Sequence, residues 1–203
     1  MPKRYKHPLL RLIVAALILP GAATAQEAMP ENLVERLRDG GLIVYLRHAQ
    51  TESDYADQVT ADPLDCATQR VLSREGWRQA REIGAGFERL GIPVGEVVAS
   101  QYCRAWQTAD LAFGQMREDP ALNFEPAEDY TEAQMDAMRT RVAPLIEAPV
   151  PANANRVIVG HDDPFEAVTG IYPEPQGVAY ILDVSGGVIE VLGSIPPEAW
   201  PSL

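Results

Sequence analysis

Apolar residues along the chain follow two patterns, short continuous runs and longer segments with helical spacing. The runs at 42–46, 97–99 and 157–159 are apolar at every position and rich in strand-forming residues. Such runs are typical of strands at the centre of a sheet that helices cover on both sides. The sequence therefore predicts three central strands.

Between these runs, apolar residues recur every three or four positions, as on one face of a helix. Ser73 is a favourable N-cap for the clearest of these segments, and Gly91 ends it. Thr131 and Gln134 have the spacing of a capping box and open a later helix. The predicted helices cover 30–39, 73–89, 103–113 and a segment that begins at Thr131. We expect Trp77 and Trp106, which fit these helical patterns, to lie in the core or in a pocket wall.

The order of these elements predicts the fold class. Strands alternate with helices, and the apolar segments 178–184 and 188–192 flank Ser185-Gly186-Gly187 as in a hairpin. The predicted class is α/β, a three-layer α/β/α fold with a mostly parallel central sheet. In open sheets of this class, ligands bind beyond the carboxyl ends of the strands. The functional residues are therefore expected at the strand ends.

The first 25 residues have the pattern of a secretory signal peptide. A short uncharged apolar run at 12–19 follows a basic head, and Ala23-Thr24-Ala25 matches a cleavage site before Gln26. The alternative, a membrane anchor, is disfavoured because a bilayer span needs about 20 apolar residues. The sequence thus predicts a signal peptide at 1–25, a single domain at 26–203, no stable membrane anchor, and a periplasmic or secreted protein. The basic head comprises Lys3, Arg4, Lys6 and Arg11.

Composition narrows the range of functions. Of the 203 residues, 46% are hydrophobic and 23% charged, which is ordinary for a globular domain with its own core. The formal net charge of -12 argues against binding to nucleic acid or to anionic lipid. Two cysteines are too few to build a disulfide scaffold. The oligomeric state cannot be read from these features.

Charged and imidazole side chains stand where the predicted strands end. Arg47 and His48 follow the first strand, Arg104 comes four residues after the end of the second, and His161 and Asp162 follow the third. Both histidines of the segment 26–203 are in this set, which packing alone does not account for. Arginine forks match the oxygens of a phosphoryl group, and an imidazole can act as the nucleophile that accepts it. The set therefore favours phosphoryl transfer.

Four motifs in this order resemble those of the histidine phosphatase superfamily. Arg47-His48-Ala49-Gln50-Thr51 is similar to its R-H-G-x-T signature, with alanine in place of the usual glycine. The other matching segments are 72–80, Ser100 with 104–109, and 159–161.

The resemblance implies roles for the matching residues. His48 would be the phosphorylated nucleophile, and Arg47, Arg104 and His161 would complete the phosphate pocket. It also implies a small phosphorylated substrate and neither a metal nor an organic cofactor. Metal binding by 161–163 is disfavoured because adjacent side chains rarely converge on one ion.

The general acid has no single match. In one branch of the superfamily it is a glutamate between Arg104 and His161, which here would be Glu125 or Glu128. In the acid-phosphatase branch it is an aspartate directly after the second histidine, where Asp162 stands. We rank Asp162 first, then Glu128, then Glu166.

Cys66 and Cys103 are an even pair in a chain with an export signal, so we expect a disulfide. The alternative is two buried free thiols. A disulfide would hold the irregular segment that follows the nucleophile beside the phosphate pocket.

Together these features predict an exported phosphomonoesterase that acts through a phosphohistidine intermediate. Two alternatives remain open, a phosphate-binding pseudoenzyme without a competent acid and a phosphosugar mutase. The natural substrate cannot be derived from the sequence.

Overall fold

A computed structural model describes residues 32–53, 57, 61–125 and 130–203 of the protein. The predicted signal peptide at 1–25 and the acid candidate Glu128 lie outside the described residues. The helices are α1 (Leu33–Asp39), α2 (Arg74–Leu90), α3 (Cys103–Phe113), α4 (Glu132–Glu147) and α5 (Asp162–Thr169). The strands are β1 (Ile43–Arg47), β2 (Val94–Ala99), β3 (Arg117–Glu118), β4 (Asn155–Gly160), β5 (Ala179–Asp183) and β6 (Glu190–Ile195).

The strands form one six-stranded sheet in the order β3-β2-β4-β1-β5-β6. The pairs β3–β2, β2–β4 and β4–β1 are parallel, and the β5–β6 hairpin adds two antiparallel strands at the β1 edge. The predicted α/β fold with a mostly parallel sheet is confirmed. Because β1, β4 and β2 are adjacent and parallel, the residues that follow them meet at one edge of the sheet.

Helices cover both faces of the sheet and bury two apolar clusters. On one face, α1, α2 and α3 pack on β1, β2 and β4 with the C-terminal Trp200, which is fully buried. On the other face, Val142 and Ile146 of α4 and Phe165 of α5 pack on the same strands. These three layers match the predicted architecture.

The helix caps formed as the sequence predicts. The side chain of Ser73 accepts a hydrogen bond from the amide of Gly76 at the start of α2. Thr131 and Gln134 form both hydrogen bonds of the capping box of α4. A Cβ atom at Gly76 would lie 1.9 Å from the carbonyl oxygen of Gln50. Gly76 therefore lets α2 approach the segment that follows β1.

One expectation needs correction in part. Trp77 is not in the core, since it is 41% exposed; it lines an open groove on the outer face of α2, where Arg81 lies over its ring. Helix α5 and strand β3 carried no sequence pattern that predicted them. Strand β3 has two residues, and α5 has eight residues with two acidic ones in its first turn.

Candidate active site

The ends of β1, β2 and β4 bring the predicted residues together. Arg47 ends β1 and His48 follows it, Ser100 follows β2, and His161 follows β4 as the N-cap of α5. Each of these side chains is buried. The rings of His48 and His161 are 5.4 Å apart, centre to centre, and meet edge to face. The two histidines therefore face one small pocket.

The hydrogen bonds of His48 define its reactive atom. Its Nδ1 lies 2.9 Å from the carbonyl oxygen of Ala49, so Nδ1 carries the proton and donates. Its Nε2 accepts a hydrogen bond from Nε of Arg104 over 3.3 Å. Burial and the charge of Arg104 hold the pKa of His48 well below its usual range. The imidazole is therefore neutral, and its unprotonated Nε2 faces Arg104.

Ala49 replaces the glycine of the superfamily signature without backbone strain, since no described residue other than glycine has a positive φ. Its amide donates to Oγ1 of Thr108, 3.0 Å away, and its methyl group packs beside Leu72 and Ala80. The methyl group that alanine adds in place of glycine is thus accommodated by packing.

Arg104 forms one wall of the pocket. Besides its contact with His48, its NH1 donates to Oδ1 of Asp57 over 3.0 Å. Its guanidinium also lies 5.1 Å from the ring centres of both Tyr102 and Phe124. The carboxylate of Asp57 and the two aromatic rings thus hold the buried guanidinium of Arg104 next to His48.

Arg47 forms a second wall and is 5% exposed. Its NH2 is paired with Asp162, and its NH1 donates to the carbonyl oxygen of Pro173 over 2.7 Å. Its Nε is buried and has no hydrogen-bond partner within the described part of the chain. A donor of this kind in a cationic pocket suits a bound anion.

His161 completes the set of strand-end residues. Its Nε2 lies 2.9 Å from the hydroxyl of Ser100, and Tyr102 and Phe124 contact its ring. Burial, Arg104 and the neighbouring His48 lower its pKa well below the usual value. Both pocket histidines are therefore neutral when the pocket is empty.

The carboxylates after His161 contact different partners. Asp162 is paired with Arg47 and accepts a hydrogen bond from the hydroxyl of Tyr172 over 2.7 Å. Asp163 instead accepts from the hydroxyl of Tyr130 over 3.1 Å. Burial and the charge of Asp162 raise the pKa of Asp163 to about 6. Of these two carboxylates, Asp162 is therefore the one that contacts Arg47.

The glutamate candidates stand elsewhere. Glu125 is ion-paired with Arg141 of α4, and the preceding Phe124 contacts the pocket instead. Glu166 lies within α5, one turn beyond Asp162. Glu128, the second-ranked acid, is outside the described residues.

A third arginine near the pocket was missed by the sequence reasoning. Burial lowers the pKa values of His48 and His161 most, and the charge of Arg104 comes next. The charge of Arg70 lowers both pKa values further. Its backbone amide donates to Asp57 over 2.7 Å, and its buried Nε has no partner among the described side chains. Arg70 stands in a segment without a strand or long helix, so no periodic pattern marked it.

The predicted disulfide between Cys66 and Cys103 is confirmed. Cys103 begins α3 and directly precedes Arg104. The fully buried side chain of Gln69 adds a hydrogen bond to the amide of Cys103, 2.7 Å long. The disulfide and the hydrogen bond between Gln69 and Cys103 therefore hold the segment that carries Arg70 against the start of α3.

A groove of about 470 Å³ adjoins Arg47 on the side of β5. Glu174, Gln176 and Glu198 are among the residues that line it.

Within the described ranges, no three His, Cys, Asp or Glu side chains are grouped closely enough to hold a metal ion. No helix in the same ranges has the length and hydrophobicity needed to cross a membrane.

Comparisons with known proteins agree with this geometry. The model of the histidine phosphatase superfamily (branch 1) matches residues 43–136, which include His48 and Arg104 but end before His161. None of the curated protein sequences matches the chain significantly.

Solved structures share the fold at low sequence identity. A phosphoserine phosphatase variant from Entamoeba histolytica in complex with phosphoserine has a TM-score of 0.57 at 12% identity, over 77% of this chain and 98% of the other. The protein TTHB049 from Thermus thermophilus has a TM-score of 0.55 at 21% identity, over 76% and 99%. A mycobacterial glucosyl-3-phosphoglycerate phosphatase in complex with VO3 has a TM-score of 0.50 at 20% identity, over 71% and 93%. The family model thus resembles this chain over somewhat less than half of its length, and the solved structures show that the chain shares their fold.

Proposed function

We propose that the protein is a phosphomonoesterase that transfers the phosphoryl group of a small substrate to Nε2 of His48 and then to water. The observation that carries the proposal is the neutral His48, whose Nδ1 is committed to Ala49 and whose Nε2 faces Arg104. Such an imidazole loses no proton before Nε2 attacks phosphorus, once Nε of Arg104 donates to a phosphoryl oxygen instead.

The surrounding cations would bind the phosphoryl group. Arg47 and Arg104 flank His48, and Arg70 adds a third positive charge nearby. Phosphoryl transfer depends mainly on positioning and on stabilising charge on the equatorial oxygens, which these donors supply. The neighbours in complex with phosphoserine and with VO3 are phosphatases, which supports this assignment of the pocket.

The reaction would run in two steps. Nε2 of His48 bonds to phosphorus while the bond from phosphorus to the leaving oxygen breaks, and the leaving oxygen takes up a proton. Water then attacks phosphorus and gives up a proton to the group that protonated the leaving oxygen, the bond to Nε2 breaks, and phosphate leaves with His48 and that group restored. No step needs a metal ion, so we expect turnover to be insensitive to chelators.

We propose Asp162 as the source of the proton, because it contacts the phosphate-binding Arg47. The same ion pair engages the carboxylate of Asp162 with Arg47. This engagement supports the alternative of a phosphate-binding pseudoenzyme, in which the pocket holds phosphate without turnover of alkyl esters.

We further propose that the protein is exported to the periplasm or secreted. The charge and apolar pattern of residues 1–25 supports this, as does the disulfide, since such bonds persist in oxidising compartments. N-terminal sequencing of the exported protein tests it, with Gln26 as the expected first residue.

The decisive experiment is a phosphate-release assay with alkyl, sugar and aryl phosphates, run with and without a chelator. Turnover of alkyl phosphates in both conditions supports the phosphomonoesterase. Turnover of aryl phosphates without turnover of alkyl phosphates supports the pseudoenzyme, and loss of turnover with chelator contradicts the metal-independent mechanism.

A further inference from the structure

A short chain of hydrogen bonds leads away from the second histidine to a residue outside the superfamily motifs. Nε2 of His161 lies 2.9 Å from Oγ of Ser100, and that hydroxyl donates to Oδ1 of Asn123 over 2.8 Å. Asn123 follows a short 3₁₀ turn, and its carbonyl oxygen accepts a hydrogen bond from Arg141 of α4. The three side chains thus form a relay that ends on a fixed loop.

The orientation of the Asn123 amide is determined by its neighbours. Its Oδ1 also accepts from the backbone amide of Gln101 over 3.1 Å, and its Nδ2 donates to Oε1 of Gln101 over 3.1 Å. A reversed amide would place its NH₂ group against the backbone N–H of Gln101. Oδ1 therefore faces Ser100, and the Ser100 hydroxyl must donate its single proton to it.

The remaining capacity of Ser100 determines the proton on His161. One lone pair of Oγ accepts from the backbone amide of Tyr102 over 3.2 Å. The other lone pair faces Nε2 of His161, and a hydroxyl whose proton is already committed can only accept there. The neutral ring of His161 therefore carries its proton on Nε2, the opposite tautomer to that of His48.

This tautomer leaves a lone pair on Nδ1 of His161. Ring contacts from Tyr102 and Phe124 hold the imidazole plane, so the unprotonated Nδ1 keeps a fixed position. An oxygen of a phosphate group placed against an unprotonated Nδ1 would face a second lone pair. An anion is therefore bound well only if Nδ1 first gains a proton.

We propose that Asn123, acting through Ser100, is a positioning residue that fixes His161 as its Nε2–H tautomer, so that His161 must take up a proton at Nδ1 when an anion enters the pocket. The resulting imidazolium donates from both nitrogens, to Ser100 and to the anion, and adds a full positive charge. The proposal rests on the proposed function only in taking this pocket as the phosphate site.

Several charged groups face His161 and act on this proton. The cations disfavour its uptake in the empty pocket, and the bound anion reverses that balance. The ionisable groups around the ring are His48, Arg47, Arg70, Arg104 and Tyr102, with Asp162 and Asp163 on its own helix.

Inorganic sulfate is a suitable probe, because it stays a tetrahedral dianion throughout the neutral pH range. Its affinity for the full-length protein is measured by calorimetry between pH 6 and pH 9, in pairs of buffers with different ionisation enthalpies. We expect uptake of about one proton per sulfate at neutral pH, and a loss of about tenfold in affinity per pH unit.

Asn123→Ala frees the Ser100 hydroxyl to donate to Nε2, which lets the neutral ring carry its proton on Nδ1. We expect the variant to bind sulfate with little proton uptake and a nearly flat pH dependence. Asn123→Asp keeps both acceptor contacts and should retain the uptake. Equal uptake in the wild type and in Asn123→Ala, or none in the wild type, would overturn the proposal.

A second measurement avoids any variant that fails to fold. Nitrogen NMR of ¹⁵N-histidine-labelled wild-type protein distinguishes protonated from unprotonated ring nitrogens. We expect protonated Nε2 in His161 and protonated Nδ1 in His48, and a His161 ring protonated at Nδ1 contradicts the proposal. Sulfate binding with proton uptake but no ester hydrolysis would leave this inference standing and refute the proposed enzyme, whereas hydrolysis without uptake would do the reverse.

Discussion

Nδ1 of His48 lies 2.9 Å from the carbonyl oxygen of Ala49, the next residue in the chain. This contact holds the imidazole in one tautomer and leaves Nε2 to face Arg104. The tautomer of the proposed nucleophile is thus fixed by a backbone carbonyl oxygen, which a substitution of the Ala49 side chain does not remove. Burial keeps the ring neutral, since it lowers the pKa of His48.

Replacement of His48 by alanine should abolish turnover, because it removes the imidazole nitrogen that faces Arg104. Brief reaction with substrate and quenching without acid should trap an acid-labile phosphoryl group on the wild-type residue. Because the pKa of His48 lies well below 6.5, the nucleophile should stay active as the pH falls through that value. Substantial turnover by His48→Ala would refute the mechanism.

Asp162→Asn tests the proton donor, since it preserves the shape of the side chain and removes the transferable proton. General acid catalysis contributes about 10²–10⁴-fold, so turnover of alkyl phosphates should fall on that scale. Loss with p-nitrophenyl phosphate should be much smaller, because its leaving group hardly needs a proton. Equal losses with both substrates would instead assign Asp162 to the positioning of Arg47 and bring Glu128 forward.

Arg70→Ala should weaken phosphate binding without unfolding the protein. A hydrogen bond to a charged group contributes about 1.5–3 kcal/mol, which corresponds to roughly a 10–100-fold loss in affinity. Arg74→Ala is the matched control, since Arg74 is an exposed arginine four residues later, at the start of α2. Equal affinities of the two variants for inorganic phosphate would remove Arg70 from the pocket.

Reduction of the disulfide between Cys66 and Cys103 should lower both stability and substrate affinity. The bond closes a loop with a sequence separation of 37, which corresponds to about 4 kcal/mol in the chain-entropy model. KM should rise because the bond holds the segment with Arg70 against the start of α3. The double variant Cys66→Ser, Cys103→Ser is the control, and reductant should leave it unchanged. A wild-type protein whose Tm and KM do not respond to reductant contradicts this prediction.

Asp163→Asn should stabilise the protein at alkaline pH. Burial and the neighbouring Asp162 raise the pKa of Asp163 from 3.8 to about 6, so folding disfavours its charged form. This free-energy cost is absent at a pH below the pKa of Asp163 in the unfolded state, and it is fully present at a pH above its pKa in the folded state. The variant should gain about 1–3 kcal/mol at pH 8 and nothing at pH 3. Denaturant unfolding at the two pH values measures this difference, and an equal gain at both would contradict the cause.

The elements that have strong local signals could be predicted from the sequence alone. The apolar runs of β1 and β4 and the spacing of α2 needed no tertiary information, since a central strand and an amphipathic helix carry their periodicity in the chain. The capping residues Ser73 and Thr131 act on amides two or three residues away, so they too are visible locally. Arg47, His48, Arg104 and His161 were found because each follows or begins such an element.

The partner of each polar group in the pocket depends on the tertiary fold. Arg70 and Asn123 stand in irregular segments, and they reach the site because the disulfide and the pairing of Asn123 with Gln101 fix those segments there. Trp77 fits the helical pattern of α2 yet faces solvent, because periodicity identifies a helix more surely than the edge of its buried face. Hydrogen-bond partners from distant parts of the chain depend on packing, and no local pattern of residues encodes them.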